Sequence, residues 1–195
     1  MPDARPRRLT PRVAAMLGSA GVLAVALSGC AGAPAPTPAP TPPASAHPIF
    51  ASDEEALAAA EAAYESFLST SVAVTNDGGV NADRLKDVAT GQALEDEAAA
   101  AARFLEEGWR TSGSIGFRVS HVQSVSVPQG DEAMVSIYVC DDLRNLDMVD
   151  GAGASLVVEG RVVDVPYTVV VTGRDSLRLK VVEKALWTRD NFCLS

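Results

Sequence analysis

Histidine, cysteine and lysine are scarce in this chain, and each scarcity removes a class of chemistry. The two histidines are His47 and His121 and the three cysteines are Cys30, Cys140 and Cys193. No spacing among them fits a zinc site or a CxxC redox pair. No serine stands in a nucleophile-elbow setting, and the glycine pair of Gly151-Ala152-Gly153 opens no helix that could cradle a phosphate. Lysine and arginine together number 16 against 25 acids, a net charge of −9. Binding to nucleic acid or electrostatic docking to anionic lipid is therefore disfavoured. A long hydrophobic run is missing too. The longest charge-free apolar stretch, residues 13–27, is diluted by Gly18, Ser19 and Gly21 and falls short of the ~20 residues that cross a bilayer.

What is present at the start has the layout of an export signal: Arg5, Arg7, Arg8 and Arg12, then the short apolar stretch, then small residues. At the junction stands Leu27-Ser28-Gly29-Cys30. This resembles the lipobox of bacterial lipoproteins, and the resemblance implies that residues 1–29 are removed and that Cys30 is lipidated as the new N-terminus. Each buried methylene of the acyl chains contributes about 0.8 kcal/mol, so the chain would be tethered to a membrane on its extracytoplasmic face. Loss of the signal arginines leaves the remainder more acidic still. Residues 30–49 are rich in Pro, Ala and Thr and have little to bury, which predicts an extended spacer with a reach of ~50 Å. His47 lies in this spacer.

Residues 50–195 are enough for one domain with a real core. Ser52 and Glu55 stand at capping-box spacing, and Leu57, Ala60, Tyr64, Phe67, Leu68 and Ser71 form an apolar stripe at helical period. The run from Thr75 to Gly79 breaks that helix. Asn81 is placed to cap a second, short helix carrying Leu85 and Val88, and Thr90 a third whose inner side is Leu94, Ala98, Ala101, Ala102, Leu105 and Trp109. After residue 114 the pattern alternates. Strands are predicted over 115–127, 133–142, 155–172 and 177–188, with antiparallel neighbours joined by turns at 128–131 and 172–175. Ile137 and Val139 face opposite to Ser136, Tyr138 and Cys140, and Val119, His121, Gln123 and Val125 share a face. Val181-Val182 interrupts alternation like a bulge, and Pro166 predicts an edge position or an irregularity.

This order of elements, the link DVATGQALED (87–96) and the closing run VVEKALWTRDNFC (181–193) resemble the nuclear transport factor 2-like family from about Ser52 to Cys193. The layout is also similar to small exported lipoproteins of actinobacteria. The resemblance implies an α+β domain in which three N-terminal helices pack on a curved, mostly antiparallel sheet of four to six strands shaped as a cone. In enzymes of that family the cone holds acids, His or Tyr; here Tyr64, His121 and Asp141 are the weak catalytic candidates. The family's isomerase pattern is met only at Tyr64, and its dehydratase pattern lacks a second histidine in the domain. A ligand pocket would draw on Tyr64, Phe67, Trp109, Phe117, Tyr138 and Trp187, which serve equally well as core.

With Cys30 lipidated, Cys140 and Cys193 remain as one pair in an oxidising compartment, which predicts a disulfide from the end of the second predicted strand to the C-terminal tail. Two buried thiols or a redox pair are the alternatives. Asp141, Asp142, Asp147 and Asp150 crowd one connection, yet their spacing is no EF-hand, so no metal and no cofactor is expected. The preferred reading is a non-catalytic module for a small apolar ligand or a cell-envelope protein. A hydratase, isomerase or cyclase-like enzyme is the alternative. The oligomeric state stays open, a homodimer included.

Overall fold

The computed structural model describes residues 49–126 and 132–194; the signal, Cys30, most of the spacer and the turn at 128–131 lie outside the described residues. The domain is α+β. Helix α1 spans Asp53–Asn76 and α2 spans Gly91–Glu107, with a 3₁₀ segment, Ala82–Asp87, between them. Among the described residues six strands follow: β1 Arg110–Gly113, β2 Gly116–Ser126, β3 Ala133–Asp142, β4 Leu146–Val149, β5 Asp164–Gly173 and β6 Lys180–Leu186. A second 3₁₀ turn, Phe192–Leu194, lies in the tail. An antiparallel sheet runs β2-β3-β5-β6, and β1 pairs with β4 as a separate ribbon. Among the described residues no helix is long and apolar enough to cross a membrane.

Helix α1 starts where its cap demands. Ser52 accepts from Glu55 N at 3.2 Å, and the Glu55 carboxylate accepts from Ala51 N, one residue before the cap. Its stripe of Ala60, Tyr64, Phe67 and Leu68 is buried against Val135, Ile137 and Val139 of β3, Val169 and Val171 of β5, and Val181 of β6. These valines and Ile137 are wholly enclosed. At about 25 cal/mol per Å² of apolar surface removed from water, this is the layer that holds the fold together. Across the sheet from α1, Tyr138 of β3 meets Phe192 of the second 3₁₀ turn.

The second predicted helix is the 3₁₀ segment. Asn81 does not cap it through its side chain and sits instead in the left-handed region at φ 58°. Leu85 is buried as expected, and Arg84 turns back to donate to Ala73 O at 3.1 Å and to pair with Asp77, closing the end of α1. Gly79, at φ +85°, lets that end meet α2, because a Cβ there would stand 2.0 Å from Ala101 O. Thr90 occupies the cap position of α2 without a side-chain bond. Only Ala93 and Ala101 of α2 are buried, whereas Leu105 is 61% exposed and Ala98 and Ala102 are exposed; the helix touches the rest of the domain through a narrower strip than its periodicity implies.

Two strands were hidden from the periodicity. β1 falls between the third predicted helix and the first predicted strand, and β4 in the connection after the second; each has four residues, too few for alternation to show. Residues 155–163, expected as strand, pair only through a bridge of Ser155 to Val149 and a few backbone bonds, and leave Val158 70% and Val162 65% exposed. Pro166 lies in an inner strand rather than at an edge. Its carbonyl accepts from Trp187 N at 2.9 Å just beyond the last ladder residue, Leu186, so the missing N–H falls where β6 stops pairing. The bulge at Val182 is present: Val170 pairs with Glu183 and Val171 with Val181.

Candidate functional site

The acid–base candidates separate onto the two faces of the sheet. On the covered face, Tyr64 of α1 donates its hydroxyl to Asp141 Oδ1 at 2.8 Å, and Lys184 of β6 donates to Asp141 Oδ2 at 2.7 Å. Asp141 follows Ile137 and Val139 at even spacing and so points inward with them, only 1% exposed. The bulge at Val182 turns Lys184 to the same side. Its ammonium lies 4.3 Å from the Tyr167 ring centroid and 5.5 Å from that of Tyr64. Phe117 meets the Tyr64 ring edge-on at 5.1 Å, and Phe67 stacks at 6.0 Å. Burial pushes the Tyr64 hydroxyl well above its ordinary value, reinforced by the Asp141 carboxylate; Tyr167 is raised by the same causes in the same order. Tyr64 therefore stays protonated at neutral pH. It serves as a donor to Asp141 and not as a base.

His121 is on the opposite face. Two bulges in β2, at Ser120 and at Gln123, reverse the alternation twice. Val119, Val122 and Val125 pair with inward residues of β3, whereas His121 pairs with outward Tyr138. His121 and Gln123 therefore do not share a face with Val119 and Val125. No dyad of His121 with Tyr64 or Asp141 exists, and the sheet stands between them.

The six aromatics proposed for one pocket fall into three places. Tyr64, Phe67 and Phe117 belong to the core around Asp141. Trp109 packs on Phe104, with Arg103 over its ring at 4.9 Å. Tyr138 and Trp187 lie on the outer face, where with His121, Phe192, Arg189 and Asp190 they line a recess of about 320 Å³. Tyr138 is its centre: its ring centroid is 4.6 Å from that of His121, 5.2 Å from Trp187 and 5.5 Å from Phe192. The sequence reading misses Phe192, Arg189 and Asp190, although all lie within six residues of Trp187.

The tail that completes this recess is pinned at several points. Cys193 is joined to Cys140 by a disulfide with 5.6 Å between Cα atoms. Arg118 donates to Cys193 O, Asn191 donates to Asp164 O at 3.1 Å, and the Trp187 indole donates to Asp190 O at 3.2 Å. The four crowded aspartates go separate ways. Asp141 is in the core; Asp142 and Asp164 share Arg144, and a bond from Arg144 N chiefly holds Asp142 below its usual range. Asp147 and Asp150 accept from their own loop. Among the described residues no group of three or more His, Cys, Asp or Glu side chains is disposed to hold a metal ion.

Two wider grooves flank α1. One of about 690 Å³ lies between its alanines and residues 176–180, and one of about 510 Å³ lies beside Leu68, Val72, Ile115 and Phe117. Neither gathers the acid–base candidates. No family model and no curated protein matches the chain. Among solved structures, the intermembrane space region of chloroplast protein ARC6 is similar at 17% identity and a TM-score of 0.46, covering 65% of this chain and 92% of that one.

Proposed function

We propose that this chain is an exported, lipid-tethered binding module of the nuclear transport factor 2-like type. It takes a small ligand or a cell-envelope partner on its folded domain and performs no chemistry of its own. The observation that carries this reading is the closure of Tyr64, Asp141 and Lys184 on one another beneath α1. An acid–base pair at work needs an atom of substrate within hydrogen-bond reach. Here every polar atom of the buried carboxylate is directed at a protein donor, and His121 is on the other side of the sheet. The order of two helices and a 3₁₀ segment before a mostly antiparallel sheet supports the family assignment. The Cys140–Cys193 disulfide supports a compartment outside the reducing cytosol.

Palmitate labelling of the full chain in an exporting bacterial host tests the tether. Label and detergent-phase partitioning are expected in the native chain and lost in Cys30→Ala; label that persists refutes lipidation at that residue. The non-catalytic reading is tested with Tyr64→Phe. This variant should weaken folding and leave ligand binding intact, whereas loss of a turnover activity in a folded Tyr64→Phe protein would establish the enzyme instead.

A further inference from the structure

The outer-face recess has a composition that selects among ligands. Its walls come from β2, β3 and the tail, and its rings meet largely at right angles: Tyr138 is edge-on to Trp187 at 88° and to Phe192 at 75°. Such a corner of faces and edges presents apolar surface to a ligand's C–H groups. The rim supplies opposite polar chemistry in two adjacent residues. Arg189 offers only donors and Asp190 only acceptors, and among the described residues neither side chain has a hydrogen-bond or ion-pair partner. A small recess of aromatic walls and a few convergent polar groups is what a specific small-molecule site consists of.

Charge narrows the choice. An anion would meet the Asp190 carboxylate and an acidic chain of net charge −9. A cation would find Arg189 already 5.5 Å from the Trp187 ring centroid. A neutral ring with C–H groups on its face and hydroxyls at its edge suits both parts, because each hydroxyl can accept from Arg189 and donate to Asp190. The pinned tail holds Phe192 in place through its neighbour Cys193, so less ordering is needed on binding.

We propose that His121, Tyr138, Trp187, Phe192, Arg189 and Asp190 form a binding site for a neutral saccharide ring. This rests on the binding-module reading above and names its ligand class. The test uses the disulfide-bonded domain in the full chain with Trp109→Phe, which leaves Trp187 as the sole indole. Its fluorescence is titrated with neutral N-acetylglucosamine and maltose oligomers, with choline and benzoate as charged probes. The expected result is a saturable change with at least one saccharide and none with either ion. Binding should weaken about tenfold or more in Tyr138→Ala and in Asp190→Ala. Asp190 is exposed and its substitution leaves folding intact. The absence of a saturable saccharide response, equal binding by benzoate or choline, or unchanged affinity in Asp190→Ala overturns the proposal. Failure here with Cys30-dependent palmitate labelling intact removes the saccharide and keeps the tethered module; loss of the label with saccharide binding intact does the reverse.

Discussion

Replacing Lys184 by methionine isolates the charge of the buried network. Methionine keeps an unbranched stem of similar length against Tyr167 and Phe67, so packing changes little. The ammonium is lost, and Asp141, 1% exposed, keeps only the Tyr64 hydroxyl at 2.8 Å. Removing one partner of a buried ion pair costs about 3–5 kcal/mol because it leaves an uncompensated charge. The lysine side chain is 16% exposed and the Tyr64 bond survives, which places the expected loss near the lower end, about 3 kcal/mol. A domain of this size has about 5–15 kcal/mol of stability, so the variant should still fold. Urea denaturation at pH 7 with the disulfide intact measures the loss. Adding Asp141→Asn to Lys184→Met removes the stranded charge and keeps an acceptor for Tyr64; it should recover more than half of the loss. A loss below about 1 kcal/mol in Lys184→Met, or no recovery in the double variant, would refute the assignment of Asp141 as a carboxylate held by Lys184.

Two further outcomes follow from the same structure. Cys193→Ser opens a loop with a sequence separation of 53 and should lower stability by about 4 kcal/mol in the chain-entropy view, read as a shifted urea midpoint that dithiothreitol reproduces in the native chain; equal midpoints with and without reductant would contradict a structural role. The Tyr64 hydroxyl is raised above its ordinary value, so its contribution is complete below about pH 10 and is lost as pH climbs through the folded value, at up to ~1.4 kcal/mol per pH unit; stability measured from pH 9 upward should fall more steeply in the native chain than in Tyr64→Phe, and parallel curves would exclude the buried phenol.

Helix α1 was legible because its signals are local. The Ser52 cap and the stripe through Tyr64 and Phe67 are both met in α1. Composition misled where pairing is decided at a distance: residues 155–163 are rich in valine yet expose Val158 and Val162, while the polar β1 and the short β4 pair because the antiparallel pairing of β2 with β3 brings the chain back beside β1. The site turns on parity, and parity is altered by bulges. His121 was placed with Val119 by strict alternation, although the recurrence of Val119, Val122 and Val125 at steps of three is itself the mark of two bulges, since no regular strand repeats an inward residue at odd spacing. Lys184 obeys the same rule. In an unbroken strand Lys180 and Lys184 would share a face, but Lys180 pairs with outward Thr172 and Lys184 with inward Val169. The interruption at Val181-Val182 was visible in the sequence. Asp141 shares the parity of Ile137 and Val139, so a carboxylate aimed into the core requires a buried donor. One bulge between the two lysines of β6 is enough to select Lys184 as that donor.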